Sequence, residues 1–412
     1  MLRIREALDV ILPAFTPRPA ERVPLDDALG RILATELAAR EDAPPFDASA
    51  MDGYAVRAED LAAASADQPV RLPIAGESRA GSAPGPALAP STCIRILTGA
   101  PVPEGATVIA QEDTTREGDH VVFSLAPRPR QHVRARGEDT HRDRPILAAG
   151  TRLGAGEIAL LASQSYAHVA VHARPRVAVL SNGDELRGLG EAPRPGSIID
   201  SNAHMLAAAV RAAGGIPVVL PTARDDLDEL VARVRTGLEA DVLVTSGGVS
   251  VGDHDLLHDA FAQAGVSRDF WKVRMKPGKP LAFGRAGRTP VLGLPGNPVS
   301  AWVGFELFVR PGLRRMLGDP RPHRAWARAR LGRAMPSTGT RTELARATLA
   351  LAADGRLVAT PLVRQGSGSL PSIAAVDALA VLPESPTRIE EGTDIDVLLL
   401  LDERGRETPV FV

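Results

Sequence analysis

Three lysines, Lys272, Lys276 and Lys279, fall within eight positions of a 412-residue chain that has no others, although it carries 48 basic side chains. A compact ammonium with three rotatable donors suits multipoint contact with a phosphate or a small oxyanion, whereas guanidinium prefers planar bidentate pairing. Asparagine is as scarce: Asn182, Asn202 and Asn297 are its only examples, and with the lysines they lie between positions 182 and 297. In Trp271-Lys272-Val273-Arg274-Met275-Lys276-Pro277-Gly278-Lys279-Pro280, an opening strand puts Lys272 and Lys276 on one face, with Lys279 past a Pro-Gly turn. A solvated surface strand is the plain alternative. Asn202, at a helix start, has no evident role.

Four short apolar runs in the same region end in polar loops. Val177–Leu180 leads into Ser181-Asn182-Gly183-Asp184-Glu185, and Ile216–Leu220 leads to Asp225-Asp226. Val242–Thr245 leads into Ser246-Gly247-Gly248-Val249-Ser250-Val251-Gly252-Asp253-His254-Asp255. Pro290–Leu294 leads into Pro295-Gly296-Asn297-Pro298. Glycine-rich backbone entering a helix offers N–H groups to an oxyanion. Carboxylates beside it repel that anion unless a hard cation sits between them, and Mg²⁺ bound by one or two carboxylates plus phosphates fits. Each loop taken alone is equally well a turn and a cap. His254 and His258 have the spacing of a helical zinc pair, but no third ligand follows. A second polar focus, Pro44-Pro45-Phe46-Asp47-Ala48-Ser49-Ala50-Met51-Asp52-Gly53-Tyr54, reads either as a linker or as a cleft lining.

The elements that must position these loops alternate strand and helix from Arg176 to about Gly318. Helices are expected over Asn202–Ala213 with Ser201 as N-cap, Leu227–Leu238, Asp255–Ala264 and Ser300–Leu317, the last with a kink at Pro311. Ligands of such sheets bind beyond the strand carboxyl ends. The predicted fold is a central doubly wound, mostly parallel α/β domain (176–320), with three further parts. A helical N-terminal domain (1–45 plus 140–175) has helices over Leu2–Phe15, Leu25–Leu37 and Gly154–Ser163. A β-rich domain (46–139) is inserted into it, and a C-terminal all-β domain (321–412) follows.

Composition closes off other classes. A net charge of −2 and 14 aromatic residues argue against nucleic-acid binding. Lone Cys93 excludes an intrachain disulfide and a cysteine zinc finger. No lysine precedes Ser or Thr, so there is no Walker A loop, and no strand is followed by Gly-x-Gly-x-x-Gly. No apolar run is long enough to span a membrane, and Glu6 and Asp9 interrupt the N-terminal pattern, so a cytoplasmic protein is expected.

The ordered segments PPFDASAMDGYAVR, RILTGAPVPEGA, RGED, SNGDEL, TSGGVSVGDHD, MKPGKPLAFG and GLPGNPVS resemble the molybdopterin molybdenumtransferases, the MoeA-type molybdenum insertases. The resemblance covers essentially the whole chain. It implies insertion of molybdate into adenylylated molybdopterin with release of AMP, Mg²⁺ or a similar cation, and a homodimer with its site between subunits. It also implies a molybdopterin adenylyltransferase as upstream partner. By motif, the resemblance implies that Asp52 and Thr98 face the cleft with Asp139 nearby, that Glu185, Asp225 and Asp255 are the strand-end carboxylates holding the metal, and that Lys272 and Lys276 contact phosphate or molybdate. Ser246, Gly247, Gly248, Ser250, Gly252, Lys279, Pro295, Gly296, Asn297 and Pro298 bind ligand, and Arg346 and Ser367 match C-terminal positions. Asn182 stands where Thr is common, and Leu344 where an aromatic is. Alternatives are a molybdopterin adenylyltransferase, which leaves the DASAMDGY region idle, and a non-catalytic pterin-binding scaffold or carrier.

Overall fold

The computed structural model describes residues 1–83, 87–248, 256–384 and 388–400. The chain forms two compact units, one of Met1–Ala34, Gly150–Gly154 and Val169–Val412, the other of Thr35–Ala149 and Ala155–His168.

In the first unit, Val242–Ser246 is buried along its whole length, and Arg176–Ser181 and Thr289–Leu294 are buried after their first residue. Such continuous apolar runs are what a sheet covered on both faces requires. The sheet order is Ile216–Val219, Arg176–Ser181, Val242–Ser246, Thr289–Leu294, Pro280–Ala286, Ser267–Lys272. The first four strands are parallel and the last two antiparallel. Helix Ser201–Ala212 and the Pro298–Met316 stretch pack on one face, Leu227–Gly237 and Leu256–Gln263 on the other.

Several expectations change. Asp200, not Ser201, caps the Ser201–Ala212 helix, because its carboxylate accepts from the Ala203 N–H while Ser201 is already helical. The 298–316 stretch is two short α-helices, Pro298–Gly304 and Arg310–Met316, around a π-helical segment, Phe305–Val309, in place of a simple kink. Pro311 has no N–H to give the carbonyl four residues back and its ring crowds that turn, so the turn widens. Leu25–Leu37 is not a helix. Only Leu25–Asp27 makes a 3₁₀ turn, Gly30 sits at φ +74°, and Ile32 and Leu33 form bridges with Arg152 and Val171. The N-terminal helix is Ile4–Ile11, and Ala7, Ile11 and Phe15 are buried in the α/β core instead of building a domain of their own.

The C-terminal sheet runs Met275–Lys276, Thr342–Leu351, Leu357–Pro361, Trp326–Leu331, Asp394–Leu399, Ala378–Leu382. Thr342–Leu351 also pairs with Ala378–Leu382, which closes the sheet on itself. Its core is alanine-rich (Ala329, Ala345, Ala347, Ala359, Ala378, Ala380), and small side chains let a closed sheet fill its interior. One short helix, Pro371–Ala374, interrupts the β pattern.

The second unit holds a six-stranded sheet ordered Ala106–Ala110, Gly53–Arg57, Cys93–Ile96, Val70–Ser78, His120–Phe123, Thr114–Glu117. Tyr54 meets Phe123 edge to face at 6.2 Å in its core. The helix Ala155–Ser163 belongs to this unit.

Candidate active site

The ends of the parallel strands open onto one cavity of about 1090 Å³. Its lining takes Asn182, Gly183 and Glu185 from the first loop, Asp225 from the second, Ser246, Gly247 and Gly248 from the third, and Pro295, Gly296, Asn297 and Pro298 from the fourth. Ser250, Gly252 and Asp255, with His254, lie outside the described residues.

The loops are tied to one another by side chains. Asn202 Nδ2 donates to Ser246 Oγ at 2.8 Å and to the Gly296 carbonyl at 2.7 Å. Ser181 Oγ and Thr222 Oγ1 donate to the two oxygens of Asp200, at 3.1 and 3.3 Å. Asn182 Nδ2 points at Asp225 Oδ1 at 3.4 Å, and the Asp225 N–H donates to Asp184. Asp200 and Asn202 are the residues the sequence reading missed. Their partners lie up to 94 positions away, so no local pattern marks them.

Glu185, Asp200 and Asp225 line this cavity, and no lysine or arginine does among the described residues. His258, from the proposed zinc spacing, is engaged otherwise: Arg268 donates to its Nε2 at 2.6 Å, and its ring meets Trp271 at 5.2 Å. No group of three His, Cys, Asp or Glu among the described residues could hold a metal by itself.

The lysine segment does not form one strand face. Lys272 ends the α/β edge strand opposite Pro280 and is exposed, lining neither of the two cavities described here. The chain then turns, Val273 N–H bonding to the Lys279 carbonyl, and Met275–Lys276 pairs instead with Thr342–Glu343 of the C-terminal sheet. Lys276 and Lys279 therefore line a second cavity of about 620 Å³, together with Arg333, Arg341, Glu343, Gln365 and Ser367. The two cavities share Pro280, and adjacent residues Ser367 and Gly368 line one each.

Within the cationic cavity, Lys276 Nζ donates to Glu343 Oε2 at 3.1 Å. Burial works to raise the Glu343 pKa, but bonds from the Thr338 backbone and hydroxyl and from Lys276 together hold its carboxyl below the usual range. Arg346 does not reach into the cavity. It is fully buried, its pKa pushed down by that burial, and its Nη2 donates to the carbonyls of Arg364 and Gly366, so it holds the segment that presents Ser367.

In the β-rich unit, Asp52 Oδ1 accepts from both the backbone N–H and the hydroxyl of Thr98, each at 2.7 Å. These bonds keep the Asp52 carboxyl below its ordinary pKa, so it is ionised at neutral pH. Asp139 makes a separate ion pair with Arg134 at 2.6 Å.

The chain matches the family models for the MoeA N-terminal region (domain I and II) over residues 2–165, a probable molybdopterin-binding domain over 178–315, and the MoeA C-terminal region (domain IV) over 328–400. It is 40% identical to molybdopterin molybdenumtransferase 2 of Mycobacterium tuberculosis over 384 residues, covering 91% of this chain and 94% of that one. It is 37% identical to the molybdopterin molybdenumtransferase of Bacillus subtilis over 395 residues, covering 94% and 92%. A crystal structure of a molybdopterin biosynthesis MoeA protein from Pyrococcus horikoshii superposes with a TM-score of 0.83 at 29% identity, covering 97% of this chain and all of that one. With matches running from the N-terminal helix through the closed C-terminal sheet, the chain belongs to the MoeA family of molybdopterin molybdenumtransferases.

Proposed function

We propose that this protein inserts molybdate into adenylylated molybdopterin and releases AMP, using both cavities of the α/β and C-terminal domains. The observation that carries this reading is the pair of neighbouring cavities with opposite lining: carboxylates at the strand ends, lysine and arginine next door, with Pro280 common to both. A substrate bearing a phosphoanhydride and a separate small oxyanion needs two such compartments side by side.

The strand-end cavity takes the phosphate-bearing part. Its carboxylates repel an anion, so a divalent cation must stand between them, and hard oxygen donors fit Mg²⁺, which takes one or two carboxylates plus phosphate oxygens. Glu185 and Asp225 would hold it, with Asp255 as the third candidate. When bound, Mg²⁺ supplies charge neutralisation at the phosphoanhydride. Ser246, Gly247 and Gly248, with Pro295, Gly296, Asn297 and Pro298, shape the wall around those phosphates, and Ser250 and Gly252 belong to the same loop.

The cationic cavity takes molybdate, with Lys276, Lys279 and Ser367 as donors and Arg346 as the support behind them. Lys272, exposed outside both cavities, acts at most on the approach of the anion. Attack of a water on phosphorus builds negative charge on the departing phosphate, which the cation held by Glu185 and Asp225 would neutralise, while Lys276 next door balances the charge of molybdate. In a homodimer, the Asp52–Thr98 couple, with Asp139, is contributed by the β-rich domain of a second copy. A molybdopterin adenylyltransferase supplies the substrate, and the reaction is cytoplasmic.

Glu185→Ala and Lys276→Ala proteins are expected to keep their fold and lose molybdate-dependent AMP release. Unchanged turnover in both would overturn the assignment.

A further inference from the structure

One buried carboxylate, Asp200, joins the two loops that carry Glu185 and Asp225. Its Oδ1 accepts from Ser181 Oγ at 3.1 Å and from the Ala203 N–H at 3.0 Å, and its Oδ2 accepts from Thr222 Oγ1 at 3.3 Å. Its own N–H donates to the Arg187 carbonyl at 2.9 Å. The segment 181–187 is therefore clasped at both ends by the same residue, and between the clasps the Ile198 N–H donates to the Glu185 carbonyl at 2.8 Å. Thr222 stands three positions before Asp225 on the other loop. Because a carboxylate only accepts, both hydroxyls must donate to it, which fixes their rotors and the direction in which each loop leaves its strand. Backbone bonds among Ser181, Gly183 and Ala223 set the two loops side by side, but they stop short of Glu185 and Asp225. Capping the following helix needs only the Ala203 bond, which a serine would supply as well.

We propose that Asp200 is a positioning residue that holds the Glu185 and Asp225 loops at the separation a divalent cation requires, without itself ligating the cation. The inference rests on the cation reading of this cavity given above. Three donors already occupy three of the roughly four acceptor sites of the Asp200 carboxylate, which leaves little for a metal. Groups that orient the ligands of a metal typically change its affinity by about 10–100-fold when removed.

The test is Mn²⁺ binding to the full chain in the presence of AMP, read by electron paramagnetic resonance, beside hydrogen exchange of the two loops. Asp200→Ser keeps the cap but is too short to reach both hydroxyls. It is expected to weaken Mn²⁺ binding by about 10–100-fold and to speed exchange at residues 182–187 and 222–226. In the molybdate-dependent reaction the apparent KM for Mg²⁺ rises with it, while that for molybdate, bound in the other cavity, stays where it was. Asp200→Asn keeps an acceptor for Ser181 and Ala203 and offers Thr222 a donor that its hydroxyl can turn to accept, so this variant retains most of the Mn²⁺ affinity. Where the serine variant fails to fold, Ser181→Ala and Thr222→Val each remove one bond and are expected to show the same split in smaller measure.

Unchanged exchange in both loops of Asp200→Ser, or the two KM values rising together, overturns the proposal. So does an Asp200→Asn protein that loses Mn²⁺ binding while its loops keep slow exchange, since Asp200 would then be a cation ligand. Mn²⁺ binding that survives Asp200→Ser overturns the proposal alone. Absence of Mn²⁺ binding in the unaltered protein overturns the cation reading and the proposal with it.

Discussion

Lys276 and Glu343 form a pair in which the carboxylate is far more buried than the ammonium, 7% against 49% exposed, at an N–O distance of 3.1 Å. The asymmetry matters because the Lys276 ammonium keeps a free side toward the cavity while Glu343 anchors it from the C-terminal sheet. Removing the anchor is then different from removing the ammonium that lines the cavity.

Glu343→Gln is expected to lower the protein's melting temperature, with a penalty that depends on pH. A carboxyl whose folded pKa is depressed stabilises the fold above its unfolded value and stops doing so as pH falls through the folded value. The difference in melting temperature between the two proteins should therefore be largest near pH 7 and shrink below about pH 4, near ordinary carboxyl values. Thermal melts across that range check it. The pocket also gains net positive charge, so the apparent KM for molybdate should fall, together with slower product release.

Arg346→Lys should not rescue Arg346→Ala. One terminal nitrogen of the guanidinium bonds to the Arg364 and Gly366 carbonyls, and a lysine has neither the reach nor the planar fork to take its place. Both substitutions are expected to destabilise the protein by about 1–3 kcal/mol for each buried carbonyl left without its donor. Denaturant melts give the magnitude. Faster hydrogen exchange at residues 362–369 in both variants would show that the Ser367 segment has loosened.

Thr98→Val removes one of the two bonds that Thr98 makes to Asp52 and leaves the backbone bond in place. The Asp52 pKa should rise toward its ordinary value, read by carboxyl-carbon NMR titration. If Asp52 serves the reaction as a carboxylate, the acidic limb of the activity profile moves to higher pH with it. A profile that stays put would separate Asp52 from the chemistry.

Gly53→Ala tests the DGY segment as structure. A β-carbon at Gly53 would sit 1.9 Å from the Ile109 carbonyl oxygen of the neighbouring strand, and backbone on both sides leaves little to yield. A loss of about 2–4 kcal/mol is expected, detected by chemical denaturation, because overpacking against main chain cannot be relieved by a rotamer change.

The α/β domain was legible because strands covered on both faces write themselves as apolar runs, and because each run ends in glycine or a polar residue. What was not legible depended on distant partners. The Trp271–Lys276 segment alternates well enough for one strand, but Val273 bonds back to Lys279 and Met275–Lys276 finds its partner at Thr342–Glu343, about 67 residues on. Leu25–Leu37 has helical apolar spacing, yet Ile32 and Leu33 are taken up by bridges to Arg152 and Val171. Asn202 reads as an ordinary first-turn residue until Ser246 and Gly296 arrive beside it.

The scarcity of lysine turns the cationic cavity into a natural reporter. Apart from the N-terminal amine, the whole protein has three primary amines, of which Lys276 and Lys279 line that cavity and Lys272 stands exposed outside it. An acylating reagent that ignores guanidinium therefore labels almost nothing but the site, with an internal reference four residues away. Occupancy of the cavity can be followed by mass spectrometry as protection of two side chains relative to a third, with no engineered label anywhere in the chain.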